Sequence, residues 1–280
     1  MDAQEHFYSD DPKTGHPDVR TTLKDVNYYF LGNGHITAVV QICRSGEGTP
    51  VGLLIMNPEK FGHKRNCLTM AAENGLTDTM LKLSGERIEL TPQPENVTAS
   101  RHEFQSVPQV IIKWGNRQIE ITEKLYCPDR KQGRLLREIE LRNKGQENLS
   151  FRIETGAGSQ TIAEMIHLNC GQKKSLLIEY ILTGKNGIDS VRLNRCSQNE
   201  IEQDTLLYWQ KTAACRFDSS LLNHLFNSAK YQLQANISYQ GRQDASIWQY
   251  NLEWVRDQSM VVIGLTLSGQ FELAGTMLDR

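Results

Sequence analysis

The stretch YNLEWVRDQS, residues 250–259, leads directly into two apolar segments that decide how the fold is interpreted. The first segment, Met260 to Leu267, is apolar nearly all round and too long for a typical strand, which indicates a helix buried on every side. Gly269 is a typical residue to end such a helix. In the second segment, residues 270–278, apolar side chains recur at helical spacing. The pattern therefore predicts two antiparallel helices joined by a glycine turn.

An indole, a guanidinium and a carboxylate stand within four residues just before this first helix, as Trp254, Arg256 and Asp257. The indole can cover the apolar face of a sugar ring, while the two charged groups offer fixed donors and acceptors to vicinal hydroxyls. Trp248 and Tyr250 flank the motif and either extend the aromatic wall or belong to the core; of the two, we assign Tyr250 to the wall. We therefore predict a sugar-binding site formed by Trp254, Arg256, Asp257 and Tyr250. The structural alternative is a charge pair on the helix dipole beside an aromatic plug.

This Trp-x-Arg-Asp motif, followed by an apolar helix and a Ser-Gly-Gln-x-Glu turn, resembles the start of the catalytic barrel in glycoside hydrolases of family 15, the glucoamylase type. The wider clan of (α/α)6, or six-hairpin, glycosidases and phosphorylases shares the architecture. The resemblance implies that Arg256 and Asp257 bind the non-reducing sugar at the cleavage site and that Trp254 helps to wall the pocket. It also implies hydrolysis of a glucosidic bond by inversion, with an oligo- or polysaccharide (glucan) as substrate and no cofactor.

Hydrolysis by inversion needs two carboxyl groups, one acid and one base, roughly 6.5 to 9.5 Å apart. In the family both are glutamates from later barrel loops, whereas this sequence holds only the opening helices of a barrel, so no catalytic residue can be assigned. Glu253, beside the motif, is better explained as a solvated loop carboxylate. We expect the chain to be inactive alone, and to be either a fragment of a longer protein or a chain whose partner completes the barrel. The apolar helix at 260–267 should then expose a sizeable apolar patch in the isolated chain.

Upstream of the helices, the sequence shows the period-two alternation of strands. Residues 27–31 and 35–42 flank a Gly-Asn-Gly turn, which predicts a hairpin. Ile119, Ile121 and Leu125 share one face of a strand whose other face is polar. The remaining candidate strands lie at residues 51–56, 110–114, 135–141, 149–153, 176–182 and 191–195. About ten short strands without a long helix among them indicate an antiparallel sandwich of two packed sheets.

The change in pattern along the chain predicts four parts, in an order that bacterial enzymes of family 15 share. A helix predicted around residues 200–212 connects the strands to a longer helix, which we expect to be capped at 218–220 and to end near Gly241. The four parts are an irregular leader at 1–22, a β-sandwich domain at 23–198, a linker helix at 199–217 and the first barrel helices at 218–280.

Composition limits the classes of partner. The 280 residues carry 31 Lys and Arg against 33 Asp and Glu, a formal net charge of −2, without a long run of one sign. Such a balance favours neither nucleic acid nor an anionic membrane. No segment approaches the roughly eighteen apolar residues of a membrane span, and the polar N-terminus does not resemble a secretory signal. The six cysteines are scattered, and His35 and His63 have no second ligand at metal spacing, so we expect a cytoplasmic protein without a metal site.

Two other functions remain compatible with the sequence. One is an inverting glycoside phosphorylase of the same clan, in which phosphate replaces the attacking water. The other is a stand-alone carbohydrate-binding or assembly module, in which the sandwich does the binding and the helices only cap it. The substitution Arg256→Ala separates this module from the barrel hypothesis, because it should remove sugar binding only if the helices hold the sugar.

Overall fold

The computed structural model describes residues 25–46, 49–60, 78–129, 131–185, 188–196, 203–212, 217–243 and 254–280. The strands are β1 (Val26–Gly32), β2 (Thr37–Cys43), β3 (Val51–Met56), β4 (Lys82–Gly85), β5 (Ile88–Leu90), β6 (Thr98–Phe104), β7 (Val107–Gly115), β8 (Ile119–Tyr126), β9 (Arg134–Asn143), β10 (Leu149–Ala157), β11 (Gln160–Leu168), β12 (Lys173–Lys185) and β13 (Ile188–Cys196). The helices are α1 (Gln203–Thr212), α2 (Ser220–Ala235), α3 (Val255–Leu267) and α4 (Phe271–Leu278). The predicted leader at 1–22 and the predicted site residue Tyr250 lie outside the described residues.

The strands form three antiparallel sheets rather than the two that the sequence predicts. Sheet A has the order β1-β2-β3, sheet B the order β11-β10-β4-β5, and sheet C the order β13-β12-β9-β8-β7-β6. The extra division arises because β4 pairs with β5 and β10 and not with β3, so sheets A and B are not hydrogen-bonded into one layer.

One apolar core joins the three sheets. Val40 of sheet A, Phe151 of sheet B and Ile121 of sheet C belong to the same cluster of buried side chains. Along β8 every second residue points into this cluster, as the alternation in the sequence predicts. The β-rich part of the chain therefore fits a sandwich, in which sheet faces bury their apolar side chains against one another.

An ion pair lies inside the sandwich core. Glu123 of β8 is 0% exposed and Arg137 of β9 is 2% exposed. The Nε of Arg137 donates to the Glu123 carboxylate at 2.7 Å, and the indole nitrogen of Trp114 donates to the same carboxylate at 2.6 Å. The Nη1 of Arg137 donates to the hydroxyl of Tyr180 at 2.9 Å and to the carbonyl of Thr79 at 2.8 Å. Both charges are thus paired and hydrogen-bonded, which burial requires.

Helices α1 and α2 cover the opposite face of sheet C. Trp209 of α1 and Tyr231 of α2 pack edge to face, with ring centroids 5.8 Å apart, and Leu136 of β9 lies in the same apolar cluster. The indole nitrogen of Trp209 donates to the carbonyl oxygen of Cys127 at 3.0 Å. Helix α1 lies within the predicted linker, and these contacts hold it against the sandwich.

Helix α2 begins as predicted but ends earlier. The Ser219 hydroxyl accepts a hydrogen bond from the backbone N–H of Leu222, which is the expected N-cap. The last helical residue is Ala235, well before the predicted end at Gly241. The reason is that Ile237 already forms a β-bridge, and Gly241, with a φ of 82°, turns the chain beyond it.

The predicted hairpin of α3 and α4 is present. Gly269 has a φ of 78° just after the C-terminus of α3. Its N–H donates to the carbonyl of Thr266, and the N–H of Gln270 donates to the carbonyl of Leu265 at 2.8 Å. This pair of bonds is the Schellman arrangement, in which a glycine accepts the left-handed conformation and satisfies the last carbonyls of the helix.

The expectation that α3 is buried on every side is wrong, whereas the predicted apolar exposure is confirmed. Leu265 is the buried residue of the helix, and it packs on α4. Met260 is 66% and Ile263 is 53% exposed, because α4 and the end of α2 cover one side only. Arg256, Met260, Ile263 and Leu267 follow one another at helical spacing on the uncovered side, which we call the exposed α3 face. Among the described residues, no helix combines the length and apolar character needed to cross a membrane.

Candidate functional site

Three of the four predicted sugar-binding residues lie together at the N-terminal end of α3. Trp254 occupies the N-cap position with an extended backbone, and it is 39% exposed. Arg256 and Asp257 follow in the first turn, where an Nη2 of the guanidinium lies 3.8 Å from Oδ2 of the carboxylate. The fourth, Tyr250, is outside the described residues. The structure thus places an aromatic ring, a cation and an anion within one turn of each other.

The exposure of these groups argues against a purely structural role, in which Arg256 and Asp257 form a charge pair on the helix dipole and Trp254 is an aromatic plug. The side chains of Arg256 and Asp257 are 89% and 39% exposed, and an ion pair of that exposure contributes little to stability. Trp254 is too exposed to be a core plug. Asp257 gains from its place in the first turn of the helix, where the dipole favours a negative charge. Donors of the guanidinium, acceptors of the carboxylate and part of the ring all remain accessible to a ligand.

Sequence reasoning missed two clefts, both of which lie where the helices meet the sandwich. The junction cleft, about 380 Å³, lies between the β1–β2 turn, α1, α2 and the α3–α4 turn. It includes Gln270 and Glu272 of the Ser-Gly-Gln-x-Glu sequence, and the amide nitrogen of Gln234 donates to the amide oxygen of Gln270 at 2.6 Å. This cleft does not include Trp254, Arg256 or Asp257.

The edge cleft, about 500 Å³, lies between β6, the edge strand of sheet C, and residues 223–231 of α2. Its lining is mainly polar. The residues that matter for its chemistry are Arg101, Glu103, His224, Asn227, Ser228 and Tyr231. This cleft has little signature in the sequence, because β6 is polar at most positions and was not among the predicted strands.

Two side chains of the edge cleft are perturbed by burial. Burial lowers the pKa of Arg101 to about 10, and the Nη1 of this guanidinium donates to the carbonyl of Phe30 at 3.0 Å. Burial, together with the nearby carboxylate of Glu103, raises the pKa of Tyr231. The hydroxyl of Tyr231 lies 3.2 Å from the carbonyl of Ser106, to which it donates. Both side chains are therefore held in place by bonds to the sandwich.

Metal binding has no support in the described part of the chain. Within the ranges given above, no three His, Cys, Asp or Glu side chains cluster in a way that could hold a metal ion. The ring of His35 stacks on that of Tyr239, with centroids 4.4 Å apart. His63 lies outside the described residues.

Comparisons with protein-family models, with curated proteins and with solved structures give no match to this chain. A function for the site therefore has to rest on its own residues and geometry.

Proposed function

We propose that this chain is the N-terminal, sugar-binding portion of a glucoamylase-like glycoside hydrolase that cleaves glucosidic bonds by inversion. The terminal sugar of a glucan binds at the N-terminal end of α3. Its ring packs on Trp254, and its hydroxyls exchange hydrogen bonds with Arg256 and Asp257. Tyr250 is assigned to the same site from the sequence. The observation that carries the proposal is the exposed cluster of indole, guanidinium and carboxylate within one turn.

The two charged residues have complementary roles in this site. Arg256 presents several N–H donors in a fixed plane, which suits adjacent sugar oxygens. Asp257 accepts hydrogen bonds from sugar hydroxyls and, 3.8 Å away, orients the guanidinium. A ring such as that of Trp254 adds apolar contact with the C–H face of the sugar. Together the three groups fix the position and orientation of a terminal sugar unit.

The exposed α3 face supports the second part of the proposal. Further helices, in the same protein or in a partner, cover Met260 and Ile263 and supply the two catalytic glutamates. The described chain alone then binds glucan without hydrolysing it. We place this activity in the cytoplasm, because the four described cysteines, Cys43, Cys127, Cys170 and Cys196, are free.

Calorimetric titration with maltotriose tests the proposal. Arg256→Ala should weaken binding at least about tenfold, since hydrogen bonds to a charged group are worth about 1.5–3 kcal/mol. Arg117→Ala is the matched control, because Arg117 is an exposed arginine of the sandwich, outside both the motif and the clefts. Binding that is unchanged in Arg256→Ala would contradict the proposal and favour a stand-alone module in which the sandwich binds the sugar. Absence of binding to the unmodified protein would contradict both.

A further inference from the structure

The edge cleft contains buried polar atoms that have no hydrogen-bond partner in the described part of the chain. Arg101 is 7% exposed, and its Nη2 has no hydrogen-bond partner among the described residues. The amide oxygen of Asn227 is likewise buried and unpartnered, while its amide nitrogen donates to the Glu103 carboxylate at 2.8 Å. Leaving a buried polar group unsatisfied is unfavourable, because the group has lost its hydrogen bonds to water without gaining any from the protein. Native proteins retain few such groups, and each calls for an explanation such as a functional role.

The charges in the cleft restrict the ligand. Among the described residues, Arg101 forms no ion pair with a carboxylate, so its positive charge would attract an anion. Glu103 lines the same cleft and opposes an anion, just as Arg101 opposes a cation. A hydroxyl group is neutral, and it can accept from a guanidinium and donate to an amide oxygen. The combination therefore favours a neutral ligand with several hydroxyls.

We infer that the edge cleft is a second carbohydrate site, in which Arg101, Glu103 and Asn227 bind the hydroxyls of a neutral glycosyl unit. The choice of a glucan as probe rests on the proposed function, but the residues of the cleft are independent of Trp254, Arg256 and Asp257. The two unpartnered atoms have almost no exposed surface. Binding therefore includes a rotation of a side chain, which the half-buried position of Asn227 on α2 permits.

Titrations of maltotriose in the Arg256→Ala protein, followed by ligand-detected NMR, test the inference, because the α3 site is disabled there. Residual binding should remain, and both Glu103→Ala and Asn227→Ala should weaken it by about tenfold or more, the loss expected for hydrogen bonds to a charged or buried group. Asn227→Ala is suited to the test because alanine favours the helix. Glu89→Ala, at an exposed carboxylate of sheet B, is the control and should leave binding unchanged.

Several outcomes would overturn the inference. The Arg256→Ala protein could show no maltotriose binding, or binding that Glu103→Ala and Asn227→Ala do not alter. If the Arg256→Ala protein bound inorganic phosphate or acetate but not maltotriose, the cleft would be an anion site. The two proposals also fail separately. If the cleft variants weaken binding but Arg256→Ala does not, the edge cleft is the sugar site and the assignment at α3 is wrong.

Discussion

Replacing Arg137 with methionine should destabilise the sandwich more than any surface substitution. The change removes the cation from an ion pair whose partner, Glu123, is fully buried. Removing one member of a buried pair typically costs about 3–5 kcal/mol, because the remaining charge has no water and no counterion. Domains of this kind are stable by about 5–15 kcal/mol, so a single substitution should remove a large part of the total.

The hydrogen bonds around the pair show where this cost arises. The hydroxyl of Thr155 donates to the carbonyl of Thr79 at 2.9 Å, so that carbonyl stays satisfied without Arg137. The main penalty is the orphaned carboxylate of Glu123. Adding Glu123→Gln removes this charge and keeps an oxygen that accepts from the indole of Trp114. The double variant should therefore recover about 2 kcal/mol or more relative to Arg137→Met alone.

Urea unfolding followed by far-UV circular dichroism measures these differences. Arg87→Met is the matched control, because Arg87 pairs with Glu147 at the surface, where the two side chains are 68% and 73% exposed. That variant should lose less than about 1 kcal/mol. If Arg137→Met costs no more than Arg87→Met, or if the double variant is no more stable than Arg137→Met, the orphaned Glu123 carboxylate is not the source of the penalty.

Three further outcomes are expected. Because the exposed α3 face is apolar, we expect the chain to self-associate as its concentration rises. Replacing both Met260 and Ile263 with glutamine removes apolar surface from this face and should lower the apparent mass in light scattering. An unchanged apparent mass would argue against this face as the contact. Because the pKa of Tyr231 is raised in the folded protein, its contribution to stability is complete below about pH 10 and is lost as the pH rises further. Between pH 8 and 11, the free energy of unfolding should therefore fall more steeply with pH for the unmodified protein than for Tyr231→Phe. Equal slopes would contradict this expectation. Gly241→Ala should lower the free energy of unfolding by about 1–3 kcal/mol and so lower the urea midpoint. The reason is that φ at this position is 82° and a Cβ atom would lie 2.4 Å from the carbonyl oxygen of Thr276. An unchanged midpoint would show that the turn adapts.

Much of the sandwich was predictable because its central strands alternate clearly. The strand at 119–126 has buried residues at alternate positions, as its sequence indicates. Strand β11, at Gln160–Leu168, was missed because it lies at the edge of sheet B and buries only two of its side chains, Ile166 and Leu168. Burial does alternate along β11, but Gln160 and Glu164 lie among its inward residues and Met165 lies on its exposed face, so the apolar period is weak in the sequence.

The candidate site shows the same limit. The grouping of Trp254, Arg256 and Asp257 follows from their spacing, but their exposure does not, because it depends on which elements cover α3. The buried ion pair did leave a signal, since Glu123 falls in phase with the inward residues of β8. Its partner Arg137 could not be chosen without the register that places β9 beside β8.

A maltotriose titration followed by tryptophan fluorescence tests sugar binding at the N-terminal end of α3. Trp114 and Trp209 are buried, whereas Trp254 is partly exposed at the proposed site. We expect a saturable change in emission that is larger than any change in Trp254→Phe. The difference between the two proteins removes the contribution of Trp248, the remaining tryptophan. The dissociation constant should agree with the calorimetric value. No change in emission, or the same change in both proteins, would contradict sugar binding at the N-terminal end of α3.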